Sequence, residues 1–148
     1  MVARVDFYHL LSAKLENILP RIAEKTLSSD KKLLVIVPDD QQARYWDDYL
    51  WRYEDTSFLP HGRVGGGDEA EHPVLISTAM EAVNQASYIA LTDGLWRAEA
   101  LNFERVFYFF DEIAVQQARQ AWRSLKNIDG ECHYWKQDEQ TGQWKAIA

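Results

Sequence analysis

The sequence predicts a three-layer α/β domain with a mainly parallel sheet and an antiparallel edge, and three observations carry that prediction. Short β-type runs alternate with segments of helical periodicity, the order that builds a parallel sheet between helices. Leu33 to Val37 is an unbroken apolar run, long enough for a strand buried on both faces, which only a sheet covered on both sides provides. The C-terminal stretch instead alternates, as His133-Tyr134-Trp135-Lys136, and turns through Asp138 to Gly142, the pattern of a hairpin. The 148 residues fit one domain, 1–148, and 47% hydrophobic with 26% charged residues is the balance of a globular chain with a core.

Each element follows from its residues. Val2 to Leu10 reads as the first strand. Lys14 to Leu27 reads as a helix with Leu15, Ile18, Leu19, Ile22 and Ala23 inward, and Pro20 either kinks it or marks a late start. Pro38 ends the apolar strand, and Asp39-Asp40 can cap a helix whose periodic residues are Ala43, Tyr45, Trp46, Tyr49 and Leu50. Ser57-Phe58-Leu59-Pro60-His61 and Gly65-Gly66-Gly67 then read as loop. Val74 to Ser77, Tyr88 to Leu91 and Val106 to Phe110 extend the sheet, with short helical or irregular pieces near Met80 to Gln85 and Leu95 to Leu101. Ile113 to Lys126 is the last helix, and Gln143 to Ile147 closes the terminal hairpin.

Composition narrows the function classes. A formal net charge of -7 disfavours unspecific attraction to nucleic acid. One cysteine, Cys132, allows no intrachain disulfide and no thiolate metal cluster. The N-terminal run goes directly into a strand pattern without the apolar core of a signal peptide, and no segment approaches a membrane span, so the expectation is a cytoplasmic protein.

The usual catalytic patterns are missing. The first strand-to-helix turn, His9 to Ala13, has no glycine, and the Gly65–Gly67 loop is followed by Asp68, Glu69 and Glu71, whose charge opposes phosphate. The four histidines are scattered without ligand spacing, and no serine sits in a GxSxG turn. Asp39-Asp40, Asp47-Asp48 and Asp111-Glu112 are candidate acids or bases, but two of these pairs fall where helix caps are expected. No catalytic residue, cofactor or metal is expected.

What stands out is the last helix. Ala114, Ala118, Ala121 and Leu125 form a small-residue stripe suited to packing on a sheet. Arg119, Trp122, Arg123 and Lys126 lie one position further round, at offsets 0, 3, 4 and 7, three cations and an indole on one face. Such a face suits an anionic, partly apolar ligand; the same residues also serve as a solvated face with Trp122 covering the core edge. Trp46, Trp51, Trp122, Trp135 and Trp144 lie among charges and several are expected at the surface, where aromatics beside arginine favour a protein interface. Phe58, Leu59 and Pro60, following Trp51, form a second candidate patch.

In their order these features resemble the chi subunit family of the bacterial DNA polymerase III clamp-loader assembly. The resemblance rests on Phe7-Tyr8, Leu50-Trp51, the Ser57 to His61 segment, the glycine loop, Pro73-Val74 and the late Ala118-Arg119 helix, across nearly the whole chain. It implies a Rossmann-like fold without the nucleotide site. It also implies a noncatalytic adaptor that links the clamp loader to single-stranded-DNA-binding protein by holding that protein's acidic, phenylalanine-ended C-terminal tail, so that DNA is contacted indirectly. The family's tail-binding positions match Arg119, Trp122 and Arg123, while Lys126 is added by helical spacing alone. Trp51 and Phe58, with Leu59 and Pro60, match its surface for the psi subunit or an accessory helicase. The tail from Asp138 to Ala148 is longer than the family leads one to expect. Two other classes stand beside this reading: a nucleotide-binding α/β enzyme using the Gly65–Gly67 loop, and a direct single-stranded-DNA binder using exposed rings.

Overall fold

In the computed structural model the described residues are 2–10, 14–52, 61–63, 65, 69–126, 128, 130–137, 140–141 and 143–147. The strands are β1 (Arg4–His9), β2 (Leu33–Ile36), β3 (His61–Arg63), β4 (Val74–Ser77), β5 (Tyr88–Leu91), β6 (Arg105–Phe110), β7 (Glu131–Gln137) and β8 (Trp144–Ala146). The helices are α1 (Leu19–Ser28), α2 (Asp40–Arg52) and α3 (Val115–Ser124). The strands form one sheet in the order β3-β4-β2-β5-β6-β1-β7-β8. Every pairing is parallel except β7 with β8, so the antiparallel edge stands where the alternating tail places it.

Two cores lie on opposite faces of this sheet. On one face Ile18, Leu19, Ile22 and Ala23 of the α1 region and Ala43, Trp46 and Leu50 of α2 pack on Leu33, Val35, Val74, Ile76, Phe107 and Phe109. On the other face Ala118, Ala121 and Leu125 of the α3 region, with Ala100 and Phe103, pack on Val5, Phe7, Leu34, Leu75, Ile89 and Tyr108. The run from Leu33 to Val37 contributes alternately to both, and all five residues are buried. Three layers result.

Local chemistry sets the element ends. Of the two roles open to Pro20, the structure takes the late start: a 3-10 turn at Leu15–Asn17 precedes α1, and Pro20 sits in the first turn, where a missing N–H breaks no helical bond. Asp39 Oδ1 accepts the Gln42 N–H at 2.8 Å and starts α2. Asp111 Oδ1 accepts the N–H groups of Ile113 (3.0 Å) and Ala114 (3.3 Å), opening a 3-10 turn at Glu112–Ala114 before α3.

Trp46, one of the periodic residues of its helix, is 3% exposed and belongs to the core, because positions 43, 46 and 50 are the stripe that α2 presents to the sheet. Two expectations need correction. Tyr45 faces outward and its hydroxyl donates to Glu16 Oε2 at 2.8 Å. His61 to Arg63, read with the loop, is a strand: it lacks an apolar pattern, but it pairs with β4, and the His61 ring lies 3.2 Å from Asp47 Oδ1 of α2. Such a short polar strand is specified by neighbours distant in sequence.

Candidate functional site

The β7–β8 hairpin extends the sheet past α3 on one face and past α1 on the other. Each uncovered side is a groove. The groove beside α3 has a volume of about 340 Å3 and is walled by Arg119, Trp122 and Arg123 of α3, His9 of β1, Tyr134 and Lys136 of β7, and Ile147 after β8.

The packing stripe explains why those α3 residues reach it. Ala118 and Ala121 are buried and carry no bulk, so the helix lies close to the sheet. Arg119 and Trp122, one residue on, fall at the rim. Trp122 is part-buried and meets Phe7 edge-on, with ring centroids 5.2 Å apart at 82°, and Tyr134 likewise at 5.9 Å and 83°. Two edge contacts hold the indole in place as a rigid apolar wall. Tyr134 hydroxyl lies 3.3 Å from His9 Nδ1. Burial pushes the Tyr134 phenol above its ordinary pKa, the Arg119 charge pulls it back, and Glu112 adds to the rise. His9 Nε2 is 3.0 Å from Glu112 Oε1, close enough for a charge contact but without hydrogen-bond alignment.

Among the described residues no carboxylate pairs with Arg119, Arg123, Lys126 or Lys136. Three of these cations rim the groove and present unneutralised positive charge around an apolar wall. Lys126 does not: it lies exposed beyond the end of α3 and takes no part in the lining. Of the four residues that spacing aligns, the structure therefore brings three together. His9, Tyr134, Lys136 and Ile147 were absent from the sequence-level site. The period of two in β7 puts Tyr134 and Lys136 on one face, but only the β1–β7 pairing tells that this face meets α3.

For the second patch, Trp51 lies in the last turn of α2, while its side chain and residues Phe58, Leu59 and Pro60 lie outside the described residues. Gly65 has φ +90° and open space around it; Gly66 and Gly67 are likewise outside.

In parallel sheets of this kind nucleotides bind outside the carboxyl ends of the strands. Here that crevice is lined by Pro38, Thr92, Asp93, Gly94 and Asp111, so its charged groups are carboxylates. Burial alone would raise the Asp93 carboxyl. Two hydrogen bonds from the Arg97 guanidinium, at 2.8 and 2.7 Å, and the Leu95 N–H outweigh it and hold the group below its ordinary range. Asp93 is thus held by Arg97 and Asp111 by the turn before α3, and neither carboxylate offers a donor to phosphate. Among the described residues no group of three His, Cys, Asp or Glu side chains is arranged to hold a metal ion, and no helix is long and apolar enough to cross a membrane.

Comparison with known proteins gives two findings. Residues 2–133 match the family described as DNA polymerase III chi subunit, HolC. Over 110 residues the chain is 24% identical to the "Probable DNA polymerase III subunit chi" of Rickettsia prowazekii (strain Madrid E), covering 74% of this chain and 67% of that protein. The family match ends inside β7, so Tyr134, Trp135, Lys136, Trp144 and Ile147 stand beyond it.

Proposed function

Because the chain belongs to the DNA polymerase III chi subunit family, we propose that it serves the replicase as a noncatalytic adaptor and that the α3 groove receives the acidic C-terminal tail of single-stranded-DNA-binding protein. One observation carries this reading: an apolar wall made by Trp122, fixed on Phe7 and Tyr134, is rimmed by Arg119, Arg123 and Lys136, which have no carboxylate partner among the described residues. The terminal phenylalanine of the tail packs on the indole. Its carboxylates meet the guanidinium groups, whose planar forks match a carboxylate in two-point contact.

The family resemblance extends the proposal to a second surface at Trp51, Phe58, Leu59 and Pro60 for a psi-like clamp-loader subunit or an accessory helicase. DNA is then reached through the coating protein. The crevice where a nucleotide would bind carries Asp93 and Asp111, which supports an adaptor over a nucleotide-dependent enzyme.

Anisotropy of a labelled tail peptide tests the assignment. Wild type should bind with micromolar affinity, roughly -8 kcal/mol, typical of a short peptide. Arg119→Ala should weaken binding about tenfold and Trp122→Ala more, since a rigid aromatic anchor carries more energy than a rim charge. Added salt should weaken the wild type further. Unchanged affinity in both variants refutes the site.

A further inference from the structure

The second groove, on the opposite face of the hairpin, has no role in the adaptor reading. It runs between α1 and the β7–β8 edge, about 380 Å3 in volume, and its walls include Arg4, Arg21, Lys25 and Arg105 together with Trp135 and Trp144. It continues along α1 into a further hollow of about 310 Å3 that shares Tyr8, Lys25 and Arg105. Four cations and five rings, Tyr8, Tyr88, Phe107, Trp135 and Trp144, therefore line one trough in a chain whose net charge is -7.

The only carboxylate beneath these cations, among the described lining and its contacts, is Asp6, which is fully buried. Arg4 bonds it through Nε at 3.0 and 3.1 Å with its terminal nitrogen also at 3.0 Å, and Arg105 bonds it through Nε and a terminal nitrogen, both at 3.1 Å. Arg21 and Lys25, one helical turn apart on α1 and exposed, pair with no carboxylate among the described residues. One negative charge against four positive ones leaves the trough cationic.

From this geometry we infer that the α1 groove is a direct contact site for single-stranded DNA, with the backbone phosphates along Arg21 and Lys25 and bases on Trp135 and Trp144. A positive groove interleaved with ring faces is the common form of sequence-tolerant single-strand binding. The rings among the cations argue for a single strand over an acidic peptide, since every base offers a π-face to stack. Asp6 engages the Nε edge of Arg4 and Arg105 and so fixes both guanidinium groups, leaving their other N–H groups and their charge for a backbone tracked by long-range attraction. The rings are held for this use: Trp135 Nε1 donates to Asp6 Oδ1 at 2.9 Å, and Tyr8 stands between the two indoles, stacked on Trp135 at 15° and edge-on to Trp144 at 88°. Both indoles lie beyond the family match, while the four cations lie within it, so the C-terminal hairpin completes the site. The charge of the whole chain keeps such a contact weak, and it acts on DNA already held nearby.

The test uses the full chain and a labelled oligothymidylate of about 12 nucleotides, within the span such grooves cover. Binding is followed by anisotropy across a salt series. Two or three phosphates at about 0.7 each give a slope of log K against log salt of about -1.4 to -2.1. The variant Arg21→Ala/Lys25→Ala should lower that slope by about 1.4. Arg119→Ala/Arg123→Ala, on the opposite face, should leave it unchanged. The inference is overturned if wild type shows no binding at low salt, or if the α1 double variant keeps the full slope. It is equally overturned if duplex or free thymidine monophosphate binds as well as the oligonucleotide, or if the α3 variant loses DNA binding to the same extent. Displacement of the oligonucleotide by an acidic peptide in the α3 variant would assign the trough to a protein partner instead.

Discussion

Asp6 is the joint beneath the α1 groove, and replacing it with alanine should destabilise the chain by about 2–3 kcal/mol. Its carboxylate is wholly buried in β1 and accepts from Arg4 in the same strand, Arg105 in β6 and Trp135 in β7. Hydrogen bonds to charged groups contribute about 1.5–3 kcal/mol each when the partner has no alternative. The two arginines have one: their side chains are 33% and 29% exposed, so water replaces much of what each loses, and about 0.5–1 kcal/mol apiece is the discounted figure. Trp135 Nε1 is left without its partner in a part-buried position, which adds about 1 kcal/mol. For a chain of 148 residues each kcal/mol moves Tm by about 2–4 °C, so the expected fall is about 4–12 °C in a thermal melt followed by circular dichroism. Asp6→Asn, which keeps volume and one acceptor, should fall by less. Trp135 fluorescence should change in both variants. A Tm within 2 °C of wild type for Asp6→Ala would refute the view that this carboxylate ties β6, β1 and β7 together.

Two other outcomes are expected. Burial holds the phenols of Tyr8 and Tyr108 up to about 12, with Asp6 and Asp93 respectively adding to the effect, so absorbance titration should show a late phase well above the ordinary phenol value of 10.0. The sign is that of a raised pKa: their contribution to stability is complete below about pH 10 and is lost as pH rises through about 12, and Tyr8→Phe with Tyr108→Phe should remove the late phase. Gly94 has φ +77°, a Cβ there would meet the Ala114 Cβ at 2.9 Å, and its carbonyl accepts the Tyr108 hydroxyl at 2.7 Å. Gly94→Ala should therefore lose about 1–3 kcal/mol in urea denaturation, against about 1 for Gly65→Ala, which is also left-handed but in open space. Equal losses at the two positions would refute the contact with Ala114.

How far the sequence could be read depended on whether a signal was local. Leu33 to Val37 is apolar at every position, and a buried parallel strand is the only common home for it, so the layered fold followed directly. The caps at Asp39 and Asp111 were legible for the same reason, since a cap bonds residues two or three positions away. His61 to Arg63 was not, because what makes it a strand is β4 and Asp47, and neither is coded in the three residues themselves. Trp46 was legible from helical period, which turns its charged neighbours outward and the indole in, whereas Tyr45, read in the same stripe, falls one position off it and faces out.

The candidate site divides along the same line. The sequence determined that Arg119, Trp122 and Arg123 share a helix face beside a buried alanine stripe, because helical period fixes which side chains align. It also placed an antiparallel hairpin at the C-terminal end. Only the tertiary structure decided that the hairpin pairs through β7 with β1 and runs past both covering helices. That docking supplies Lys136 and Ile147 to one groove and Trp135 and Trp144 to the other, and leaves Lys126 outside. The physical reason is that strand pairing joins residues about 127 positions apart through backbone hydrogen bonds that carry no side-chain signature, so the partner of a strand is chosen by the packing of the whole sheet.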